Sequence, residues 1–499
     1  MSAPPEVVVV GNIGIDTNIY LHGDSIDDRV QCARAERLTR VHTAHGVFGC
    51  ARWAQRPFAR SPNPICSGTM VEEITRQEPP VADRLRRVGA LFEPFSSSYA
   101  DNPALAFYQA AHREAPVAYS EAFSAYLVVG HAELTHVLRE PVGFSSAHIL
   151  DLPPDLPPEV TAELQRGIYQ MPPALFNNDP PGHTRARALF SKAFTPARVA
   201  SLEPTIAEAA EALVRAMAPG DGPVDLMQAL AFPLPLQIIT ALIGIPLVDA
   251  PLLRACQDDR LKLYDPALDK ARQVEAARRC VAYERYLADL IERRRGAPAD
   301  DLITALIGAR VDGEAPLSVE EMISHLIVLF FAGYETVASL IGSLVLRLLE
   351  TPALWDAIGG DPALLHAAME ETLRIDAPVQ MEPRRATAPA VVGGVEIPAG
   401  ATAFAFFGAA NHDPAIFPDP LRFDVNRFAA GPRARHLGFG WGVHTCIGAS
   451  LARIEVRCAV QALRAAFPGL RLAAEARPSY APSMFFRKPT ALPVTLGAA

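Results

Sequence analysis

The sequence predicts a mainly helical domain with small β-sheets, of the α+β class. Four long segments carry apolar residues at helical spacing: 200–217, 270–294, 319–350 and 362–376. Short strand-like stretches separated by turn residues lie near 125–130, 391–397 and 402–407. No internal repeat or glycine/serine linker interrupts residues 88–499, so we predict a single large domain there.

Individual elements have local start and stop signals. Asp361-Pro362 marks a helix start, because aspartate caps free amides and proline fits the first helical turn. Gly393-Gly394 and Pro398-Ala399-Gly400 predict turns around the short strands. A further helix is predicted after Cys446 and runs to about Ala466.

Composition and charge exclude several classes of protein. Half of the 499 residues are hydrophobic and a fifth are charged, which supplies ample material for a large core. With a formal net charge of −9, nothing favours nucleic acid or an anionic membrane as a partner. Residues 1–10 lack the features of a signal peptide, and the apolar stretch 324–349 contains Glu335, which favours a buried helix over a membrane span. We therefore expect a cytoplasmic protein.

Residues 1–87 differ from the rest of the chain. Residues 7–10 predict a short strand, and residues 11–16 predict a turn. This opening resembles the first strand of ribokinase-like sugar kinases, but no phosphate-binding or catalytic segment of that family follows. Residues 51–80 show no sustained period. We predict a poorly ordered N-terminal extension rather than a kinase.

The cysteines do not form a disulfide or zinc framework, because they are far apart, odd in number and without zinc-type spacing. Only Cys446 has a chemically suggestive context. The seven are Cys32, Cys50, Cys66, Cys256, Cys280, Cys446 and Cys458.

A glycine-rich loop, residues 439–448 (FGWGVHTCIG), presents Cys446 just before a predicted helix. Glycines permit positive φ and let the backbone lie against a flat ligand. The amides and dipole of a helix N-terminus favour a thiolate, and amide hydrogen bonds to sulfur tune the potential of a bound iron. An isolated cysteine in such a turn is usually only buried, but ten positions in register favour a functional site.

This loop resembles the haem-binding loop of the cytochrome P-450 family, and the resemblance spans about residues 88–499. It implies a single domain built around a buried haem b (heme b, iron protoporphyrin IX), with Cys446 as the axial metal ligand. Phe439 packs beside the sulfur, and His436 corresponds to a position that often contacts a haem propionate. The implied cofactor-binding residues of the loop are His436, Phe439, Gly440, Gly442 and Gly448.

A second motif starts at Asp179-Pro180-Pro181 and predicts a helix on which His183 and Arg187 are i, i+4 neighbours. Two such donors suit a carboxylate, although a solvated basic helix start is the simpler alternative. The resemblance implies that His183 and Arg187 bind haem propionates and that Arg384 makes a third contact.

Glu371 and Arg374 lie three positions apart on a predicted helix and can pair. The spacing alone has little weight, because exposed pairs are common and contribute little. The resemblance implies a buried network behind the haem that joins this pair to a later arginine, which we assign as Arg422.

Residues 332–336 (AGYET) lie in the most apolar predicted helix, where a buried acid and hydroxyl are costly unless they are satisfied. Thr336 can bond the carbonyl one turn earlier. The resemblance implies that Ala332 and Gly333 are small where the helix crosses the porphyrin. It also implies that Glu335 and Thr336 are a catalytic acid–alcohol pair on its oxygen side.

Together the motifs imply a haem-thiolate monooxygenase that inserts one atom of dioxygen into a hydrophobic or amphipathic small molecule. Its expected electron donors are a ferredoxin and a ferredoxin reductase. The family's substrate-facing segments correspond to residues 144–176, parts of 225–245, 329–332, 379–383 and 483–485.

Two alternatives stay open. A peroxygenase uses hydrogen peroxide and lacks the acid–alcohol pair, which this sequence has in Glu335 and Thr336. A non-catalytic partner protein of this fold typically loses the cysteine or breaks the haem loop, and both are intact here.

Overall fold

The structure is a computed structural model, and it describes residues 6–12, 15–21, 83–147, 149, 151–153, 155–168, 171–217, 222–265, 268–429, 435–474 and 478–497. Most of the predicted extension, residues 22–82, lies outside the described residues. The strand predicted at residues 7–10 is confirmed, because Glu6–Asn12 (β1) and Ile15–Leu21 (β2) form an antiparallel hairpin.

Helices dominate the rest of the described chain. They are α1 (Asp83–Gly89), α2 (Ser97–Asp101), α3 (Gln109–Glu114), α4 (His131–Arg139), α5 (Pro158–Leu164), α6 (Gly182–Ala193), α7 (Pro196–Ser201), α8 (Glu203–Ala216), α9 (Pro233–Ile243), α10 (Ala250–Lys262), α11 (Lys270–Gly296), α12 (Leu302–Gly308), α13 (Val319–Leu349), α14 (Pro352–Ala357), α15 (Pro362–Ile375), α16 (Phe407–Ala410), α17 (Asn426–Ala429) and α18 (Ala449–Ala466). Short π or 3₁₀ turns occupy Ala104–Tyr108, Leu175–Asn177, Met227–Ala231, Leu247–Asp249 and Gly442–His444.

The strands form small sheets. The described strands after β2 are β3 (Val117–Ser120), β4 (Ala125–Val128), β5 (Phe144–Ser145), β6 (Val224–Asp225), β7 (Glu382–Ala386), β8 (Ala390–Val392), β9 (Val395–Ile397), β10 (Thr402–Ala405), β11 (Arg471–Leu472), β12 (Ser479–Tyr480), β13 (Pro489–Ala491) and β14 (Pro493–Thr495). The largest sheet has the order β3-β4-β10-β7-β5, in which only β4 and β10 are parallel. The other sheets are β11-β14-β6, β12-β13 and β8-β9.

The long central helix α13 organises the core. It begins with a capping box, in which the Ser318 hydroxyl accepts from the Glu321 amide and the Glu321 carboxylate accepts from the Ser318 amide. It packs against α9, α11, α14, α15 and α18. The helix is long and apolar enough to cross a membrane, but 67% of its most apolar stretch is buried in the part of the chain described here. This burial supports the predicted core helix.

The predicted element boundaries agree closely with the structure. Asp361 caps α15 through its Oδ1, which accepts from the amides of Ala363 and Leu364 at 3.0 Å each. The turn between β8 and β9 has Gly393 and Gly394 at φ +55° and +76°. The helical domain begins earlier than the expected residue 88, because α1 starts at Asp83 and packs against β3.

Candidate haem site

The Cys446 loop folds back on itself just before α18. The amide of Cys446 donates to the Phe439 carbonyl at 2.9 Å, and the amide of Gly440 donates to the Leu437 carbonyl at 2.9 Å. Gly440 and Gly442 have φ of +69° and +72°, and a Cβ at Gly442 would lie 2.4 Å from the Leu138 carbonyl oxygen. The predicted need for glycine is therefore confirmed at these two positions.

The electrostatic environment of Cys446 combines opposing effects. Burial raises the pKa of the Cys446 thiol above its ordinary value, and a hydrogen bond from the backbone of Gly448 and the positive charges of Arg187 and Arg453 oppose this effect without outweighing it. The charge of Glu382 raises the pKa further. The helix-start amide and the basic side chains therefore act in the direction that stabilises a thiolate, the form that binds metals.

Two accessible surfaces lie on otherwise well-packed elements. Ala332 is exposed at the centre of α13, although Phe331 and Tyr334 beside it are buried. Cys446 is exposed in its loop, although the protein around it desolvates the thiol. Exposed surfaces of this kind would be covered by a bound flat ligand.

Gly333 has a different reason for its small size than the one predicted from the sequence. A Cβ at this position would lie 2.6 Å from the Ile239 side chain of α9. Gly333 therefore allows α9 and α13 to pack closely. Of the two small residues, only Ala332 presents an exposed surface.

Two histidines meet beside the loop. His183 at the start of α6 and His444 in the loop have ring centroids 4.4 Å apart. Burial lowers the pKa of His183, and it lowers the pKa of His444 to about 3; nearby arginine charges act in the same direction. The Nε2 atom of His183 is buried without a hydrogen-bond partner. A buried nitrogen without a partner is costly, and a hydrogen bond to a ligand or a water would satisfy it.

Two arginines extend this cluster. Burial lowers the pKa of the Arg187 guanidinium while the charge of Cys446 raises it, and among the described contacts the Arg187 guanidinium has no ion pair. Arg384 is buried and pairs with Glu382 at 3.0 Å, and its charge lowers the pKa of His444. An anionic ligand would supply the acceptor that His183 lacks and the counter-charge that Arg187 lacks, so these residues fit haem propionates.

His436, which was predicted to contact a propionate, is already engaged on both ring nitrogens. Its Nδ1 accepts from the Gly438 amide at 3.1 Å, so the proton lies on Nε2, which faces Oε2 of Glu370 at 3.1 Å. The same carboxylate holds Arg453, whose Cζ lies 4.5 Å from the Phe439 ring centroid. In this structure, His436 and Glu370 support the loop from behind.

The buried network on α15 corrects one assignment. Arg374 and Glu371 are fully buried and form a bidentate pair at 2.8 Å for both bonds. The second arginine at Glu371 is Arg427, whose Nε lies 3.3 Å from Oε1. Arg422 was the wrong choice: its side chain is exposed, and it contributes its carbonyl, which accepts from Arg374 at 3.2 Å.

Thr336 and Glu335 point to different faces of α13, because adjacent helical residues do not face each other. The Thr336 hydroxyl donates to the Ala332 carbonyl at 2.8 Å, as predicted. The Glu335 carboxylate is buried and accepts from Lys488 Nζ at 2.6 Å and from the Tyr334 hydroxyl at 3.1 Å. No hydrogen bond joins Glu335 to Thr336 among the described contacts.

Three residues of this region received no role from the sequence. His444 stands two positions before Cys446, and its place inside the loop opposite a basic helix start was a usable signal. Arg427 lies five positions after Arg422, and spacing alone does not distinguish the two. Lys488 is 153 positions from Glu335, and no local pattern connects them.

Comparisons with known proteins cover the loop and its supporting helices. The family model described as Cytochrome P450 matches residues 362–467. Cytochrome P450 monooxygenase PikC of Streptomyces venezuelae is 36% identical over 404 residues, which cover 80% of this chain and 90% of the relative. Vitamin D(3) 25-hydroxylase of Pseudonocardia autotrophica is 38% identical over 327 residues, or 65% of this chain and 78% of the relative.

The fold has a matching solved structure. Cytochrome P450 CREJ in complex with (4-ethylphenyl) dihydrogen phosphate aligns with a TM-score of 0.73 at 30% identity. The alignment covers 81% of this chain and 98% of that chain. The similarity therefore spans almost all of that chain and shows the mainly helical fold with small sheets.

Proposed function

The chain belongs to the cytochrome P450 family, and we propose that Cys446 is the residue through which it binds the haem iron. As a family member it is a haem-thiolate monooxygenase that acts on small molecules. The observation that carries the placement of the haem is the partnerless Nε2 of His183, buried in a basic cluster beside the Cys446 loop. His183, Arg187 and Arg384 would hold the propionates, and Ala332 would contact the haem. Both ring nitrogens of His444 are already engaged, by the Ser146 hydroxyl and the Leu175 carbonyl.

Bound haem supplies the activation of dioxygen and its transfer to the substrate, and the thiolate ligand promotes O–O cleavage. The chain contributes the environment of that chemistry. The Gly448 amide stabilises negative charge on the Cys446 sulfur. Arg453 stacks on Phe439, which fixes the aromatic ring at the start of the loop. Contacts of this kind around a metal ligand tune the metal site.

Thr336 is placed to hold a proton donor on the accessible side of α13. Its hydroxyl donates to the Ala332 carbonyl, so its oxygen lone pairs stay available for a water or another donor. We assign Thr336 and Glu335 to proton delivery, with Thr336 at the accessible surface and Glu335 in the interior behind it. A positioned proton donor accelerates bond cleavage by general acid catalysis.

The substrate is proposed to be a hydrophobic or amphipathic small molecule. Met381, Met484 and Phe485 are buried in the two C-terminal segments expected to face the substrate. The similarity to a vitamin D(3) 25-hydroxylase, an enzyme named for a largely apolar substrate, supports this class. A regiochemical choice among such substrates depends on the pocket shape.

The proposed electron donors are a ferredoxin and its reductase, and the proposed compartment is the cytoplasm. Similarity to bacterial relatives over most of their length supports both proposals. The surface around the loop is basic and aromatic: Trp441 lies under Arg435 and Arg139, with Cζ to ring-centroid distances of 4.5 and 5.3 Å. Such a surface suits an acidic electron-transfer protein.

The proposal is tested by turnover with isotopically labelled dioxygen. Compounds that shift the haem absorption spectrum are first selected from an apolar panel, and turnover is then driven by ferredoxin, ferredoxin reductase and a nicotinamide cofactor. The expected product carries one labelled oxygen atom. Turnover that occurs only with added hydrogen peroxide, and not with the redox partners, would show a peroxygenase instead.

A further inference from the structure

Lys488 and Glu335 form a buried ion pair between the C-terminal segment and α13. The Nζ of Lys488 lies 2.6 Å from Oε2 of Glu335, and the two side chains are only 9% and 8% exposed. Tyr334 donates to the other carboxylate oxygen at 3.1 Å. The carboxylate next to Thr336 is therefore held on both oxygens, away from the accessible surface that Thr336 shares with Ala332.

The ion pair is one of two contacts that align the segment around Phe486 and Lys488 with one face of α13. Phe486 and Lys488 lie two positions apart in the segment, and Phe331 and Glu335 lie one turn apart on α13. The rings of Phe331 and Phe486 have centroids 6.4 Å apart, so this ring contact lies next to the ion pair along both the segment and the helix. A shift of the segment along α13 would therefore move the ammonium relative to the carboxylate.

The same segment is tied to residues that are expected to face the substrate. The Gln380 amide donates to the Phe485 carbonyl at 2.7 Å, and the Arg487 amide donates to the Pro378 carbonyl at 2.9 Å. Met484 and Phe485, in one expected substrate-facing segment, come four and three positions before Lys488. The backbone that carries the Lys488 ammonium is thus bonded to residues 378–380, next to an expected substrate-facing segment, whereas its carboxylate partner belongs to α13.

We propose that Lys488 is a positioning residue that keeps the Glu335 carboxylate away from Thr336 until substrate occupies the site. Substrate contacts with residues 483–485 displace the segment, and release of the ion pair lets the carboxyl group reach the Thr336 side of the helix. Separating a buried pair is costly, so the release requires binding energy from the substrate. The inference rests on the monooxygenase activity but not on the identity of the electron donor.

The pair explains why a carboxylate is tolerated in the apolar centre of α13. An unpaired buried carboxylate is strongly unfavourable and takes up a proton. Replacing Lys488 with methionine, of similar length, therefore converts Glu335 from an ion-paired carboxylate to a neutral acid that keeps only its hydrogen bond with Tyr334 among the contacts described here. In substrate-free protein this acid supplies protons for the two-electron, two-proton reduction of dioxygen to hydrogen peroxide, with electrons from the nicotinamide cofactor through the redox partners.

The experiment compares three variants of the haem-loaded protein: Lys488→Met, Lys488→Arg and the double variant Glu335→Gln/Lys488→Met. The first readout is the infrared band of a protonated carboxyl group, which we expect in Lys488→Met and not in the double variant. The second is substrate-free cofactor oxidation with peroxide release, expected to rise several-fold in Lys488→Met. Lys488→Arg should match the wild type in both readouts.

Several results would overturn the proposal. Lys488→Met could lack the carboxyl band and keep wild-type substrate-free oxidation, which would make Lys488 a space-filling residue. Equal substrate-free oxidation in Lys488→Met and the double variant would show that Glu335 is not the group being held. A thiolate-type spectrum of the reduced carbon monoxide complex in every variant separates these outcomes from a failure of the haem assignment itself.

Discussion

Arg427 donates from its Nε to Oε1 of Glu371 over 3.3 Å, although the two residues are 56 positions apart. Glu371 also accepts both bonds of the fully buried Arg374, and its Oε1 accepts from the Asp424 amide at 2.9 Å. One carboxylate thus links α15 to the segment that leads into α17. Arg374 also donates to the Asn411 carbonyl at 3.0 Å, and the Asn411 side chain accepts from the Leu437 amide at 2.7 Å, which connects the network to the residues just before the Cys446 loop.

The network predicts different effects for two nearby arginines. Arg427→Ala removes a charged hydrogen bond to a buried carboxylate and should cost about 1.5–3 kcal/mol of unfolding free energy. Arg422→Ala is the matched control, because that side chain is exposed and should change stability by less than about 0.5 kcal/mol. Thermal midpoints of the haem-loaded variants measure the difference. Equal losses of stability in the two variants would show that Arg422 also belongs to the network.

Variants of His183 and His436 distinguish which of these two histidines contacts the haem. His183→Phe keeps a ring but removes the partnerless Nε2, and should weaken haem binding about 10–100-fold, as expected for a lost charged hydrogen bond. His436→Phe should leave haem affinity nearly unchanged while lowering stability, because His436 engages Glu370. Haem transfer to an acceptor protein measures the affinity. A large loss in His436→Phe alone would support the role predicted for His436 from sequence.

Thr336→Ala should lower the fraction of electrons from the reduced cofactor that ends in product. The hydroxyl bonds the Ala332 carbonyl and is not part of the haem-binding cluster, so haem content and substrate affinity should stay near the wild type. Without the positioned donor, product per oxidised cofactor should fall and hydrogen peroxide should rise. The measurement is the ratio of product to peroxide with a cognate substrate, and an unchanged ratio would point to another proton donor.

Glu370 should make stability depend on pH in the acid range. Burial alone raises its pKa, but hydrogen bonds from Arg453 and His436 outweigh burial and hold the pKa at about 2. Because the folded value lies below the unfolded one, the stabilisation is complete above about pH 4.5 and disappears as the pH falls toward 2. The stability difference from Glu370→Gln, about 3 kcal/mol at most, should therefore shrink below about pH 4.5. A constant difference down to pH 3 would contradict this.

Local signals were enough to predict most of the fold. The Asp361 cap, the Gly393-Gly394 turn and the apolar spacing of α11 and α13 act within a few residues, so they are visible in one sequence. The positive φ of Gly440 and Gly442 could also be predicted from one sequence, because glycine adopts positive φ without steric cost.

The errors and omissions concern contacts that depend on the tertiary arrangement. Spacing could not show that Arg427, and not Arg422, returns to Glu371, since that depends on the path of the intervening turn. The Glu335–Lys488 pair joins two distant segments and has no counterpart in any local pattern. The small size of Gly333 was assigned to the porphyrin, whereas its Cβ position is filled by Ile239 of α9.

The spectrum of the reduced carbon monoxide complex decides whether Cys446 is the thiolate ligand of the haem iron. The wild-type protein should show the strongly red-shifted Soret band that is specific to thiolate ligation. Cys446→His should lose that band while the protein still folds, because the loop's glycines and the Glu370 and Glu371 networks are unchanged. An unshifted band in the wild type, or a red-shifted band that survives in Cys446→His, would contradict the account.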